Sequence, residues 1–232
     1  MFDVLPVVIS RGLLDYRACW HEMQRYTAQR DATAPDQIWL VQHPSVYTLG
    51  QAAQLTHLFG AAELPIVDAV PEHWHGIPVV KIDRGGQVSY HGPGQIIAYL
   101  LLDLKRRHLF VRDLVCLIEQ AVIETLAEFN IVGQRWLGYP GIYLSQGPDA
   151  RAKIAALGLK ISRGCSYHGV ALNVAMDLQP FTWINPCGQA NLRTIDLLSL
   201  GIKHDLFYVE QRLSQHLLRQ LEIQRSSSVH RK

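Results

Sequence analysis

Residues 84–102 have the sequence RGGQVSYHGPGQIIAYLLL, in which apolar segments stand on either side of a glycine-rich bend. Residues 88–90 and 96–102 are rich in β-branched and aromatic side chains, which favours β-strands. Glycine allows positive φ angles and a close approach of the backbone to a ligand. The stretch therefore predicts strands joined at residues 92–94, and it leaves open whether they form a plain hairpin or the wall of a binding site.

Strand-like and helical segments follow one another on both sides of this stretch without regular alternation. Periodic apolar positions predict helices at residues 13–29, 111–129 and 206–220. Further strands are expected at residues 5–9, 38–42, 79–82, 142–144, 153–156, 159–162 and 171–174. This arrangement predicts an α+β fold with a mixed, mainly antiparallel sheet and flanking helices. We expect a single domain over residues 1–223 and a flexible polar tail at residues 224–232.

The composition is that of a globular protein, since 48% of the residues are hydrophobic and 18% are charged. The formal net charge of +2 is small and no concentrated basic run occurs, which argues against a nucleic-acid-binding protein. The chain contains 4 cysteines, at positions 19, 116, 165 and 187, without a CxxC pair. Such wide spacing argues against a disulfide framework and against a structural zinc site.

The expected location of the protein follows from its apolar runs and its first residues. The longest apolar run, residues 96–102, is far too short to cross a bilayer, so no membrane association is expected. Residues 1–10 lack the charged and apolar regions of a signal peptide and are typical of a first strand. We therefore expect a cytoplasmic protein whose thiols stay reduced.

Lys153 begins the motif Lys-Ile-Ala-Ala-Leu-Gly, at the start of an otherwise apolar strand. Burying an ammonium group is costly unless it is paired, and desolvation lowers the pKa of a lysine toward that of a usable general base. The alternative is a lysine that keeps its head group in solvent at a strand end. Lys160 competes for the same role, and spacing alone does not separate the two lysines.

The tetrapeptide Ser-Tyr-His-Gly occurs at residues 89–92 and again at residues 166–169. In each copy the tyrosine and the histidine point to opposite faces of a strand, next to a glycine. For either copy alone, a histidine hydrogen-bonded in the core is the alternative interpretation. The repetition favours a shared pocket lined by His91 and His168.

Cys187 stands in the sequence Asn-Pro-Cys-Gly, which predicts a sharp turn. A turn exposes a thiol and surrounds it with backbone N–H groups that lower the thiol pKa and stabilise an oxyanion. Cys19 and Cys116 lie in helical apolar patterns typical of core cysteines, and Cys165 is intermediate. Cys187 is therefore the candidate nucleophile, and such a nucleophile needs a neighbouring base. Spacing leaves the choice of that base open among His91, His168 and Lys153.

The strongest signal is the order of four motifs along the chain. They are Arg-Gly-Gly-x-x-Ser-Tyr-His-Gly-x-Gly-Gln from Arg84, Lys-Ile-Ala-Ala-Leu-Gly from Lys153, Tyr-His-Gly-x-Ala-Leu-Asn from Tyr167 and Asn-Pro-Cys-Gly from Asn185. Together with His-Pro-Ser-Val-Tyr-Thr-Leu-Gly at residues 43–50, this order closely resembles that of the lipoyl(octanoyl) transferases, the octanoyltransferases of lipoate biosynthesis. The resemblance covers well over half of the chain.

The resemblance implies an α+β fold shared with biotin protein ligases and lipoate protein ligases. It also implies an acyltransferase reaction, in which octanoyl passes from acyl carrier protein to a lysine of a lipoyl domain. No cofactor, ATP or metal is expected, because the thioester donor already carries the activation energy. The implied acceptors are the lipoyl domains of 2-oxoacid dehydrogenase complexes and the glycine cleavage H protein. Candidates for an arginine rim that docks an acidic carrier are Arg106, Arg107, Arg163 and Arg193.

The resemblance also implies roles for individual residues. Cys187 and Lys153 match the family's catalytic dyad, which selects Lys153 over Lys160. The family's acyl pocket maps onto Arg84, Gly85, Gly86, Gln87, Val88, Ser89, Tyr90, His91, Ala156, Leu157, Gly158, Gly169, Val170 and Ala171. His168 and Asn173 are expected to support this pocket. The loop at residues 61–76 and the chain beyond residue 200 follow no family pattern.

Two alternative functions remain open at the level of sequence. An ATP-dependent lipoate-protein ligase on the same fold would need an adenylate site and no nucleophilic cysteine. A non-catalytic acyl-binding module would use the same pocket, and Cys187 would then be an ordinary turn residue.

Overall fold

The structure is a computed structural model that describes residues 5–58 and 70–229. Within these ranges the strands are β1 (Val7–Leu13), β2 (Gln37–Gln42), β3 (Val46–Leu49), β4 (His73–Trp74), β5 (Ile77–Lys81), β6 (Val88–His91), β7 (Gln95–Leu101), β8 (Gly133–Trp136), β9 (Tyr139–Leu144), β10 (Lys153–Ser162) and β11 (Cys165–Asn173). The helices are α1 (Tyr16–Gln29), α2 (Leu55–Leu58), α3 (Val111–Ala127) and α4 (Leu206–Val229). A 3₁₀ turn at Pro186–Gly188 lies between β11 and α4.

The strands form a large and a small sheet. The large sheet has the order β1-β2-β7-β11-β10-β9-β8, and the small sheet has the order β4-β5-β3-β6. The β1–β2 and β3–β5 pairs are parallel, and the other paired strands of the described chain are antiparallel. The predicted α+β fold with a mixed, mainly antiparallel sheet is therefore confirmed.

Helices cover both faces of the large sheet. On one face, α3 and α4 bury Leu114, Ile118 and Leu213 against the sheet. On the other face, Cys19 and Met23 of α1 pack against strand side chains. A strand that is buried on both faces has no polar side to expose. This explains why all residues of β7 are buried and why its sequence after Gln95 is a continuous apolar run.

The first helix begins three residues later than its periodicity predicts. Strand β1 continues to Leu13, and Asp15 then caps the helix by accepting a hydrogen bond from the backbone N of Ala18 at 2.9 Å. An aspartate at this position satisfies an N–H group that has no partner inside the helix, so it fixes the start of α1 at Tyr16.

Other boundaries differ as well. Residues 153–162 form one strand rather than two, because Gly158 pairs with Gly169 and β10 continues through the glycine. Helix α4 extends to Val229 and so includes part of the expected tail, whereas residues 230–232 lie outside the described chain, as does most of the loop at 61–76. Cys116, expected in the core, is exposed on α3. Within the described ranges, no helix combines the length and hydrophobicity that a bilayer crossing demands.

Candidate active site

A cavity of about 430 Å³ lies where the small sheet meets the large one. Strands β7, β10 and β11 supply one wall, and β6 with the glycine-rich segment before it supplies another. Helix α3 adds Val111 and Val115, and the hairpin between β8 and β9 adds Gly138, Tyr139 and Pro140. Val111 and Tyr139 are 42% and 47% exposed, so the cavity reaches the protein surface at this end.

Most of the residues expected in the acyl pocket line this cavity. These are Arg84, Gly85, Gly86, Gln87, Val88, Ser89, His91, Ala156, Leu157, Gly158, Gly169, Val170 and Ala171, together with His168, Lys153 and Cys187. Segments that are far apart in sequence therefore meet in one place, and His91 and His168 share one pocket as the repeated tetrapeptide predicts.

Tyr90 does not line the cavity, which corrects its expected placement in the acyl pocket. Tyr90 faces the other side of β6, where its ring packs against Tyr47 and Phe181. The cause is the alternation of side chains along a strand, which sends Ser89 and His91 to one face and Tyr90 to the other. Asn173 does not line the cavity either, but it is expected only to support the pocket, and its Oδ1 accepts from Gln95, which in turn bonds to His91. Asn173 is buried behind the cavity wall and donates a hydrogen bond to the carbonyl of Ile195 at 3.0 Å.

Lys153 and Cys187 are hydrogen-bonded to each other at the cavity. Lys153 Nζ lies 2.9 Å from Cys187 Sγ and donates a second hydrogen bond to the carbonyl of Pro140 at 2.9 Å. Lys153 is only 3% exposed, and its Nζ lies 5.1 Å from the centre of the Tyr143 ring. Of the candidate bases, Lys153 is the one that bonds to the thiol: His91 bonds to Gln95 and His168 bonds to Asp83.

The pKa of Lys153 shifts in the direction opposite to that expected from burial alone. Burial alone lowers the pKa of Lys153, but its interactions with the neighbouring Cys187 and Tyr143 outweigh burial and raise that pKa above its usual value. Lys153 is therefore an ammonium in the resting state. Lys153 therefore starts as a proton donor and becomes a base only after it has given up its proton.

The backbone at Cys187 is held in an uncommon conformation. Cys187 has φ 55° and ψ 23°, in the left-handed region, within the turn Pro186–Gly188. A residue with a side chain costs roughly 1–2 kcal/mol in this region. Backbone hydrogen bonds hold the turn: Gly188 N donates to the Asn185 carbonyl at 2.9 Å, and Asn185 N donates to the His57 carbonyl at 2.7 Å. The result is a partly exposed thiol directed at Lys153.

Lys153 is positioned by contacts on two sides. Its backbone N donates to the carbonyl of Arg193 at 2.8 Å, and its carbonyl accepts from Ile195 N at 3.0 Å. On the other side, Gly141 has φ 119°, and a Cβ at that position would lie 2.7 Å from Lys153 Cε. Glycine is therefore needed at position 141 for the lysine side chain to pass.

Part of the cavity wall is polar. Arg84 is 9% exposed and donates hydrogen bonds to the Thr48 carbonyl at 2.9 Å and to Thr48 Oγ1 at 2.8 Å. Burial lowers the pKa of Arg84, and burial likewise lowers the pKa of His91 to about 3. Burial lowers the pKa of His168 as well, although its Nε2 lies 2.9 Å from Asp83 Oδ1. The cavity wall therefore contains a buried guanidinium and two neutral imidazoles.

Sequence reasoning missed several groups in and around this site. Tyr16 of α1 lines the cavity and stacks on His91, with ring centroids 5.7 Å apart. Glu119 of α3 accepts a hydrogen bond from Gly141 N at 3.0 Å. Glu119 is the one acidic residue of the largely apolar run at residues 114–123, which is a signal for it, whereas no motif marks Tyr16. The described residues contain no group of three or more His, Cys, Asp or Glu side chains arranged to hold a metal ion.

Comparison with known proteins places this geometry in context. The family described as lipoyl protein ligase A/B catalytic domain matches residues 15–215. An octanoyltransferase of Ralstonia pickettii is 57% identical over 201 residues, which cover 86% of this chain and 82% of the relative.

Solved structures share the fold at low sequence identity. A lipoate-protein ligase A bound with ATP has a TM-score of 0.70 at 13% identity, over 94% of this chain and 86% of that one. A biotin protein ligase from Aquifex aeolicus has a TM-score of 0.53 at 11% identity, over 96% of this chain and 72% of that one. The predicted ligase-like fold is thereby confirmed.

Proposed function

Since the chain belongs to the octanoyltransferases of the lipoyl protein ligase A/B catalytic domain family and is an acyltransferase, we propose that it moves an octanoyl group onto a protein lysine by way of a thioester on Cys187. The donor in this proposal is octanoyl-acyl carrier protein, and the acceptor is the target lysine of a lipoyl domain. The observation that carries the proposal is the 2.9 Å hydrogen bond between Lys153 Nζ and Cys187 Sγ at the edge of the cavity.

The first half-reaction loads the enzyme. The Cys187 thiolate attacks the carbonyl carbon of the donor thioester, and a new C–S bond forms as the oxyanion develops. The buried Arg84 guanidinium, which lines the same cavity, is suited to stabilise this charge. When the tetrahedral intermediate collapses, the bond to the carrier's sulfur breaks. The Lys153 ammonium gives its proton to the departing thiolate and becomes a neutral amine.

The second half-reaction unloads the enzyme. The acceptor lysine enters as a neutral amine and attacks the octanoyl-Cys187 thioester. Lys153, now neutral, accepts the proton that the nitrogen must lose as the amide forms. The C–S bond to Cys187 breaks, and the ammonium–thiolate pair is restored. Lys153 gives up one proton and regains one, so protons and charges balance over the cycle, and no activating reagent other than the thioester donor is needed.

The cavity supports an acyl substrate of medium length. Apolar side chains of Leu157, Val170, Ile97 and Val115 line it, and its volume of about 430 Å³ leaves room for an eight-carbon chain. Each buried CH₂ group contributes about 0.8 kcal/mol to binding, so octanoyl is favoured strongly over acetyl. The buried Arg84 guanidinium in the same cavity suits the carbonyl end of that chain.

The closest alternative within the fold is an ATP-dependent ligase, since one neighbour is a lipoate-protein ligase bound with ATP. A ligase activates its acid as an adenylate and has no need for a thiol that bonds to a buried lysine. The Lys153–Cys187 pair therefore favours transfer through a thioester.

The test is to mix the protein with octanoyl-acyl carrier protein in the absence of ATP and to measure its intact mass. We expect an octanoyl adduct that hydroxylamine removes, that peptide mapping assigns to Cys187 and that Cys187→Ser lacks. Subsequent addition of a lipoyl domain should discharge the adduct and add one octanoyl group to that domain. Strict dependence on ATP without any adduct would favour the ligase, and binding of octanoyl without transfer would favour a non-catalytic module.

A further inference from the structure

An exposed apolar surface borders the open end of the cavity. It consists of Phe110, Trp136, Leu137 and Tyr139, which we call the hairpin rim because three of them lie at the tip of the β8–β9 hairpin. Leu137 is 97% exposed and Phe110 is 78% exposed. A protein surface rarely presents large apolar side chains together without a partner. The hairpin rim therefore has the character of a docking surface.

The hairpin rim is directly connected to the reacting groups. Tyr139 and Pro140 line the cavity, as does Val111, which follows Phe110 in the chain. The carbonyl of Pro140 and the thiol of Cys187 both lie 2.9 Å from Lys153 Nζ. Leu137 is three residues from Pro140, so their Cα atoms are at most about 11 Å apart. A partner that places a group on Cys187 from outside must therefore pass close to this surface.

The two protein substrates of the proposed reaction differ in how far their reacting groups extend from the folded domain. A lysine side chain spans only about 6 Å from Cα to Nζ, and the amine must come within about 3.5 Å of the carbon it attacks. The backbone of the acceptor must therefore lie against the hairpin rim during transfer. The donor carries its acyl group on a long flexible arm, so its folded part does not need to touch this surface.

The charge around the hairpin rim points to the same kind of partner. Arg135, next to Trp136 in the hairpin, keeps 41% of its side-chain surface accessible while it pairs with the buried Glu119. Arg151 places its guanidinium 5.4 Å from the centre of the Trp136 ring. The hairpin itself, residues 133–144, carries no acidic residue. Such a surface complements a partner with apolar side chains flanked by carboxylates.

We infer that the hairpin rim docks the acceptor, a folded domain that presents its lysine on a protruding turn flanked by apolar and acidic residues. This inference rests on the proposed function, because it assumes transfer from Cys187 to a protein lysine. The expected interface has Leu137 and Phe110 as apolar anchors near its centre and the arginines at its edge. Leu137 and Phe110 do not line the cavity, so substituting either should affect acceptor binding and not the loading of the enzyme.

The test separates the two half-reactions in Leu137→Glu and in a matched control, Leu13→Glu. Leu13 is 57% exposed on β1, at the opposite edge of the large sheet from β8. Loading is followed by intact mass with octanoyl-acyl carrier protein, and unloading is followed with a lipoyl domain and, separately, with hydroxylamine. We expect Leu137→Glu to lower kcat/KM for the lipoyl domain about tenfold or more. Loading and discharge by hydroxylamine should stay within about twofold of the unsubstituted protein, as should every rate of the control.

Three outcomes would overturn the inference. An unchanged rate with the lipoyl domain would show that the rim does not contact the acceptor. Slow loading of Leu137→Glu with normal discharge to the lipoyl domain would assign the rim to the carrier instead. A change in oligomeric state by Leu137→Glu, measured by sedimentation, would assign it to a second copy of the chain. Failure of the unsubstituted protein to load at all would contradict the proposed function, which is a distinguishable result.

Discussion

Glu119 Oε1 accepts a hydrogen bond from the backbone N of Gly141 at 3.0 Å, one residue after the carbonyl that receives Lys153 Nζ. Its second oxygen, Oε2, accepts from Arg135 Nε at 3.1 Å, so one buried carboxylate of α3 binds both strands of the β8–β9 hairpin. The hairpin in turn directs the Pro140 carbonyl at Lys153. Glu119 is therefore placed to orient the ammonium toward Cys187 without touching a substrate.

Two substitutions of Glu119 should distinguish its role in orienting Lys153 from the effect of its own charge. In Glu119→Ala the buried N–H of Gly141 loses its acceptor, which costs about 1–3 kcal/mol and frees the Pro140 carbonyl. We expect loading of Cys187 to slow about tenfold or more in the folded protein, whereas Glu119→Gln keeps an acceptor oxygen and most of the rate. Single-turnover mass spectrometry and thermal unfolding measure the two effects. A lower Tm with an unchanged loading rate would show that Glu119 has only a structural role.

Removing the ammonium should nearly stop catalysis while the fold persists. Lys153→Met keeps an unbranched side chain in the buried site but loses the proton that the leaving thiolate needs. We expect loading by octanoyl-acyl carrier protein to fall about 10²–10⁴-fold. Lys160→Met is the matched control, because Lys160 lies on the same strand, does not line the cavity and should be dispensable. Near-normal loading by Lys153→Met, with far-UV circular dichroism intact, would contradict the assigned role.

Much of the fold and of the cavity could be predicted from the sequence because both depend on local patterns. Apolar runs placed the strands, and the glycine-rich motif at residues 84–95 marked one wall of the cavity. The alternation of side chains along a strand predicts the observed orientation of Tyr90, whereas the family pattern places this residue in the pocket. Strand alternation is therefore the better guide to the orientation of the side chain at that position.

The remaining features depend on long-range packing, which a local pattern does not contain. Spacing left three candidate bases for Cys187, and the fold brings only one of them, Lys153, within hydrogen-bond distance of the thiol. The carbonyl of Pro140 is a backbone group, so no side-chain motif predicts its role. Cys187 and Tyr143 raise the pKa of Lys153, and a local pattern does not show this because Cys187 lies 34 residues away in the chain.

Acyl-chain length should depend on the bulk of the cavity wall. Leu157 lines the cavity from β10, opposite Val170 of β11 in the strand pairing. Leu157→Phe adds volume without changing polarity and should shorten the chain that fits. We expect the loading rate with octanoyl donor to fall several-fold while that with hexanoyl donor changes less. Competition between the two donors, read by intact mass, measures the shift directly. An unchanged ratio would place the acyl chain elsewhere in the cavity.

The stability of the fold should decrease as the pH falls below neutral. Burial lowers the pKa of His43 to about 4 and that of His91 to about 3, from the usual 6.5. His43 lies 2.8 Å from the Tyr99 hydroxyl and 2.6 Å from the Leu14 carbonyl, and His91 lies 2.7 Å from Gln95 Oε1.

In the unfolded chain both histidines take up protons near pH 6.5, whereas the folded state resists protonation until about pH 4 or 3. The unfolded state therefore binds more protons in this window, and the stability present above pH 6.5 is progressively lost below it. Each histidine contributes about 1.4 kcal/mol per pH unit there. We expect urea unfolding at pH 5.0 to give a free energy at least about 2 kcal/mol lower than at pH 7.5. The loss should be smaller in His91→Asn, which cannot titrate, and equal stability of the unsubstituted protein at both pH values would show that these imidazoles are not buried in the neutral form.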